Sequence, residues 1–180
     1  VNKDFTVRSV KELIKYAKEH PRSVNFSSSG IGSSSHLSGE LFKQRAGIDM
    51  VHVPYRGSGA ALTDLLAGQV QMAIDSYVVY KPYIDSGELR VIAAATQTRL
   101  EQLPDVPTLS EEIPGLATDV YLYMTVPGGT PAPIIDQLGE KIRAALKEPE
   151  LQKLFIQRGM IAMGSTPAEL SALIDSERVK

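Results

Sequence analysis

Residues 24–47 read Val24-Asn25-Phe26-Ser27-Ser28-Ser29-Gly30-Ile31-Gly32-Ser33-Ser34-Ser35-His36-Leu37-Ser38-Gly39-Glu40-Leu41-Phe42-Lys43-Gln44-Arg45-Ala46-Gly47, and their order decides the fold. Val24 to Ser27 is a short strand pattern, and Ser28 to Ser35 is a run of small residues. Leu37, Leu41 and Phe42 then fall at helical spacing before a stop at Gly47. This is a strand, glycine loop, helix unit. The same order recurs at once: Met50 to Val53 as a strand, Pro54 to Gly59 as a loop, and a helix with Leu62, Leu65 and Leu66 ending at Gly68.

Working outward, a helix with Val10, Leu13, Ile14 and Ala17 precedes the first strand, opened by the capping pair Ser9 and Glu12 and closed at Pro21. Downstream come a third strand at Val70 to Ile74, a short helix around Val78 to Ile84, and a fourth strand at Leu89 to Ala95. Strands that alternate with helices need crossovers, so the sheet is expected to be mainly parallel and covered on both faces. Residues 1–98 form one α/β lobe on this reading.

After Thr98 the proline-spaced Leu103-Pro104-Asp105-Val106-Pro107-Thr108 leads into a capped turn at Thr108 and Glu111, and 99–118 reads as a crossing between lobes. Residues 119–180 then offer a strand at Tyr121 to Val126, two helices opened by Pro133 and Pro149, and a strand at Met160 to Met163. A last helix is capped by Thr166, Pro167 and Glu169. Two strands and three helices are too few strands for a covered sheet of their own.

Composition narrows the chemistry. The 180 residues carry a net charge of −2 with 22% charged residues, and the bases are scattered among as many acids. Nucleic acid is therefore not an expected partner, since phosphate binding needs clustered Lys and Arg. No apolar run approaches the roughly 20 residues that span a bilayer, so the chain is not expected to be membrane-embedded. There is no cysteine, and the histidines His20, His36 and His52 lack ligand spacing, so neither a metal nor another cofactor is expected.

In an open parallel sheet, ligands bind beyond the carboxyl ends of the strands, where loops meet helix N-termini. Ser28, Ser29, Gly30, Gly32, Ser33 and Ser34 occupy such a position. Their glycines let backbone N–H groups turn inward, hydroxyls add donors, and the following helix contributes partial positive charge, which suits a carboxylate, phosphate or sulfate. The alternative is an ordinary N-cap with a flexible connection. Tyr55, Gly57 and Ser58 stand one unit later in the same place, and Asp75 ends a strand at the rim, where it either accepts from a ligand or caps the next helix. Arg56 could serve as a counter-ion, but a lone Arg in a loop is more often solvated. Ser33 and His36 lie about one helical turn apart without a G-x-S-x-G elbow, so His36 reads as a packed or capping residue.

Taken together, Ser28 to Ser33 with His36 to Glu40, His52 to Gly57, Leu65 to Val70, Arg99 with Leu103 to Glu111, and Pro127 to Pro131 resemble the substrate-binding proteins of tripartite tricarboxylate transporters, the Bug or TctC family. The resemblance implies an α/β, two-lobed periplasmic binding protein of the Venus-flytrap, type II-like kind. In that family a small carboxylate is gripped between loops of the two lobes and handed to membrane transporter subunits. Carried over, Ser29, Gly30, Gly32, Ser33 and Ser34 match one loop, Tyr55, Gly57 and Ser58 its neighbour, and Asp75 a rim position. It also implies that one lobe is complete and that only the C-terminal part of the other is present. A small α/β serine hydrolase or transferase is the alternative; the effector domain of a regulator is a third, for which no helix-turn-helix is visible.

Overall fold

The computed structural model describes residues 1–177. Three parallel strands form its sheet: β1 (Asn25–Ser28), β2 (Val51–Pro54) and β3 (Met72–Ala73), in the order β2-β1-β3. Phe26 pairs with His52 on one side and Met72 on the other, so β1 is the central strand. The expected parallel sheet is present, each strand followed by a helix: α2 (Ser34–Ala46), α3 (Ser58–Leu66) and α4 (Tyr77–Asp85). Helix α1 (Val10–Glu19) precedes them, and its Ser9 cap accepts the Glu12 N–H at 3.2 Å.

From β1 the chain crosses to β2 in one direction and returns past β1 to β3 in the other. With right-handed crossovers, α2 and α3 fall on opposite faces. The core is divided accordingly. One cluster joins Val10 and Leu13 of α1, Phe26, Phe42 of α2, Met50 and Met72, with Leu109 and Leu116 from further along the chain. The other joins Leu62 and Leu65 of α3 with Val70, Tyr80 and Leu89. Both faces of the sheet are thus covered, which a parallel sheet requires.

The chain divides into two compact units, at Val120 and Tyr121. Segment 99–118 lies in the first, where Leu109 and Leu116 are buried and Thr108 bridges to Ala94. Here α5 (Leu109–Glu112) begins with a reciprocal capping box between Thr108 and Glu111. Arg99 grips the same Glu111 with two bonds of 2.8 and 2.6 Å, and these contacts, with the Thr108 N–H, hold the Glu111 carboxyl down to about 2.

Three expected strands do not form ladders among the described residues. Leu89 to Ala95 makes only isolated bridges, Leu89 to Asn2 and Ala94 to Thr108, because its amides are shared between two partners: Arg90 N–H bonds the Val1 carbonyl and Ala94 N–H the Pro107 carbonyl. In the second unit, Tyr121 to Val126 and Met160 to Met163 are irregular. An apolar run becomes a strand only where a neighbouring chain completes its hydrogen bonds, and these runs stay exposed, Leu122 at 85% and Ile161 at 80%. The helices of this unit do follow the sequence: α6 (Ala132–Ala145), α7 (Pro149–Gln157) and α8 (Pro167–Glu177), the last opened by mutual bonds between Thr166 and Glu169.

Candidate functional site

The loops after β1, β2 and β3 all leave the same edge of the sheet, and the two that follow β1 and β2 are joined directly. Tyr55 N–H donates to the Ser28 carbonyl at 3.0 Å, and Gly57 N–H to the Ser29 carbonyl at 3.1 Å. Since α2 and α3 lie on opposite faces, their N-termini flank the end of β1 from both sides. The strand order reverses at this strand, which is where open α/β sheets bind ligands.

Each helix start leaves amides without intrahelical acceptors. In α2, Ser33 caps the chain by accepting the His36 N–H at 3.3 Å, which leaves the N–H groups of Ser34 and Ser35 without an acceptor among the described residues. Helix α3 begins at Gly57, which has no side chain to cap with, so Ser58, Gly59 and Ala60 are in the same condition. Gly57 adopts φ of 101° and Gly32 φ of 78°, conformations that side-chain-bearing residues rarely take. These five amides without intrahelical acceptors, at two positive helix ends, suit an anion.

The loop itself is tightly cross-bonded. Ser35, 2% exposed, receives the Ser29 N–H at 2.9 Å, and its hydroxyl lies 3.0 Å from those of both Ser29 and Ser33. Ser33 also donates to the Gly30 carbonyl at 2.7 Å. His36 is packed, as its position suggests, and its Nδ1 accepts the Gly32 N–H. Among the described residues the Ser33 hydroxyl is bonded to the Gly30 carbonyl and the Ser35 hydroxyl, and no bond ties it to the His36 ring.

Of the expected ligand groups, Ser29, Gly30, Gly32, Ser33, Ser34, Gly57 and Ser58 are gathered at this edge with backbone or hydroxyl exposed to different degrees. Three side chains are otherwise engaged. Ser28 is fully buried, its hydroxyl 2.6 Å from His52 Nε2. The Tyr55 hydroxyl donates to Asp64 at 2.7 Å, and burial with this carboxylate pushes its pKa up to about 12. Asp75 accepts from its neighbour Ser76 N–H at 2.8 Å and from the Tyr80 hydroxyl at 3.2 Å, and α4 starts after Ser76 with no side-chain cap bond, so the capping alternative is not realised. In each case the polar atom already has a protein partner. Arg56 is exposed. The sequence reading missed Ser35 and His52. The register of His52 with Phe26 is the signal that places this ring beside the loop.

Comparison with known proteins adds the decisive observation: the sequence model of the tripartite tricarboxylate transporter family receptor matches residues 1–180. The chain belongs to that family. The chain is 35% identical over 176 residues to a protein from the tcbD-tcbE intergenic region of Pseudomonas sp. (strain P51), covering 97% of this chain and 52% of that one. It spans about half the length of the curated relatives it matches. Among solved structures, R. palustris Rpa4515 with adipate superimposes with a TM-score of 0.92 at 34% identity, covering 98% of this chain and 60% of the other. MatC from Rhodopseudomonas palustris with bound malate superimposes with a TM-score of 0.81 at 27% identity, covering 98% and 61%. The chain's α/β fold, with its parallel sheet, is that of part of a two-lobed periplasmic binding protein.

Proposed function

We propose that this chain carries much of a periplasmic receptor that captures a small carboxylate, without transforming it, and presents it to the membrane subunits of a tripartite tricarboxylate-type transporter. Residues 1–120 supply one lobe with its anion seat, and 121–177 contribute to the other. The observation that carries the reading is the pair of facing helix starts, α2 and α3, with the amides of Ser34, Ser35, Ser58, Gly59 and Ala60 open at one sheet edge.

The magnitudes favour capture. A hydrogen bond to a charged group contributes about 1.5–3 kcal/mol and a helix terminus about 0.3–1 kcal/mol, so several amides and two termini offset the desolvation of one carboxylate. The occupants of the two similar structures, adipate and malate, are both dicarboxylates, which directs attention to four- to six-carbon diacids. Among the described residues no bond ties the Ser33 hydroxyl to the His36 ring, and this, with the full burial of Ser28, supports binding over hydrolysis.

Calorimetric titration of the full-length protein against adipate, malate, a tricarboxylate, an aromatic acid and glutamate is expected to give saturable heat with at least one acid. The neutral diamide of adipate is expected to give none, because an amide brings no charge to the helix termini. Silence with every acid, or equal binding of acid and diamide, contradicts the proposal.

A further inference from the structure

Beneath the loop that opens α2 stands a column of three rings. Phe26 of β1 stacks on His52 of β2 with centroids 5.0 Å apart and planes at 28°. His52 stacks in turn on His36 of α2, 4.0 Å away at 22°. Each imidazole holds one end of the loop: His52 Nε2 meets the buried Ser28 hydroxyl at 2.6 Å, and His36 Nδ1 accepts the Gly32 N–H at 3.1 Å. The charged groups nearest the pair are Glu40 and Lys43 of α2, themselves bonded to each other at 2.9 Å, with Lys43 Nζ 5.8 Å from the Phe26 ring.

Between the two anchors lie Ser29, Gly30 and Ile31, and the glycines Gly30 and Gly32 take φ of 141° and 78°. Glycines in such conformations have many alternatives in a free loop, and a ligand that had to select one would lose affinity to that ordering. The rings remove the choice beforehand. Burial, reinforced by the neighbouring His36, holds the His52 pKa below its ordinary value, which favours the neutral ring beside the Ser28 hydroxyl.

Resting on the carboxylate reading above, we propose that His52 and His36 are positioning residues of the receptor: a stacked pair that pins Ser28 and Gly32 and so fixes the loop leading to the open amides of α2. Neither ring contacts the ligand in this account. Their effect is transmitted through the backbone.

The test compares wild type, His52→Leu, His52→Gln and Ser28→Ala in the full-length protein, by calorimetry with adipate and malate and by thermal unfolding. His52→Leu and Ser28→Ala each remove the 2.6 Å contact and are expected to weaken binding by about tenfold or more. His52→Gln carries an amide to the place of Nε2 and is expected to bind within about threefold of wild type, a rescue that a purely packing role would not produce. Wild-type affinity in Ser28→Ala, or a glutamine variant as weak as leucine, overturns the inference. Should His52→Leu fail to fold, Ser28→Ala and His52→Gln decide together, since the Ser28 hydroxyl also donates to the Gly30 carbonyl and accepts the Gly30 N–H, both at 3.2 Å, and only the glutamine variant keeps those bonds while changing the ring. Wild type binding none of the family's acids speaks against the carboxylate reading instead, and is seen before any variant is made.

Discussion

Gly39→Ala is expected to destabilise the first unit by about 3 kcal/mol, although alanine is the better helix former by about 0.5–1 kcal/mol. Gly39 lies within α2 with its Cα against the ring of Phe26. A methyl group built there would stand 2.1 Å from Cε2 and 2.7 Å from Cδ2 of that ring. Phe26 has no room to retreat, being fully buried and stacked on His52. Either α2 lifts from the sheet or the ring column shifts. Denaturant unfolding reads the loss directly, and a raised or unchanged midpoint contradicts the packing described. Adding Phe26→Leu to Gly39→Ala is expected to recover part of the stability lost by the glycine change, a coupling that only residues in contact show.

Ser58→Asp is expected to move stability and binding in opposite directions. The residue opens α3 directly after Gly57, at a helix start with no side-chain cap. A carboxylate there meets the positive end of the helix and stabilises the fold by about 0.3–1 kcal/mol, raising the melting temperature by a few degrees. A ligand carboxylate held about 6 Å away at an effective dielectric near 20 is repelled by about 2.8 kcal/mol, about a hundredfold in Kd. The charge also fills the seat itself. Ser58→Asn, of equal size and uncharged, is expected to bind nearly as wild type does. A misfolded variant would lose both quantities together, so the opposite signs isolate the anion seat; an aspartate variant that binds like wild type refutes it.

How much of this was legible in the sequence follows from how local each feature is. The strand, loop and helix alternation from Val24 to Gly68 is written in residue spacing and in glycines placed where the chain must turn, and all of it is present. The capping pairs at Ser9, Thr108 and Thr166 are likewise local, each closed within three or four residues. The misread strands fail for the opposite reason. Leu89 to Ala95 has the composition of a buried strand, yet its hydrogen bonds depend on Val1 and Pro107, which no local pattern names.

The site divides along the same line. Loop backbones were predictable because glycine and helix starts dictate them. Side-chain roles were not, because Ser28, Tyr55 and Asp75 each find a partner, His52, Asp64 and Tyr80, that only the folded chain brings near. Ser35 illustrates the converse. As one of several serines in a loop rich in small residues it carried no distinguishing mark, and in the structure it organises the Ser29 amide and two hydroxyls.

The measurement that bears most directly on the anion seat is a crystal structure of the full-length protein grown with adipate. One carboxylate is predicted to lie within about 2.7–3.2 Å of main-chain N–H groups at the starts of both α2 and α3, among Ser34, Ser35, Ser58, Gly59 and Ala60. A carboxylate held instead by the exposed Arg56 guanidinium, or one bound away from this sheet edge with those amides facing only water, would contradict the account.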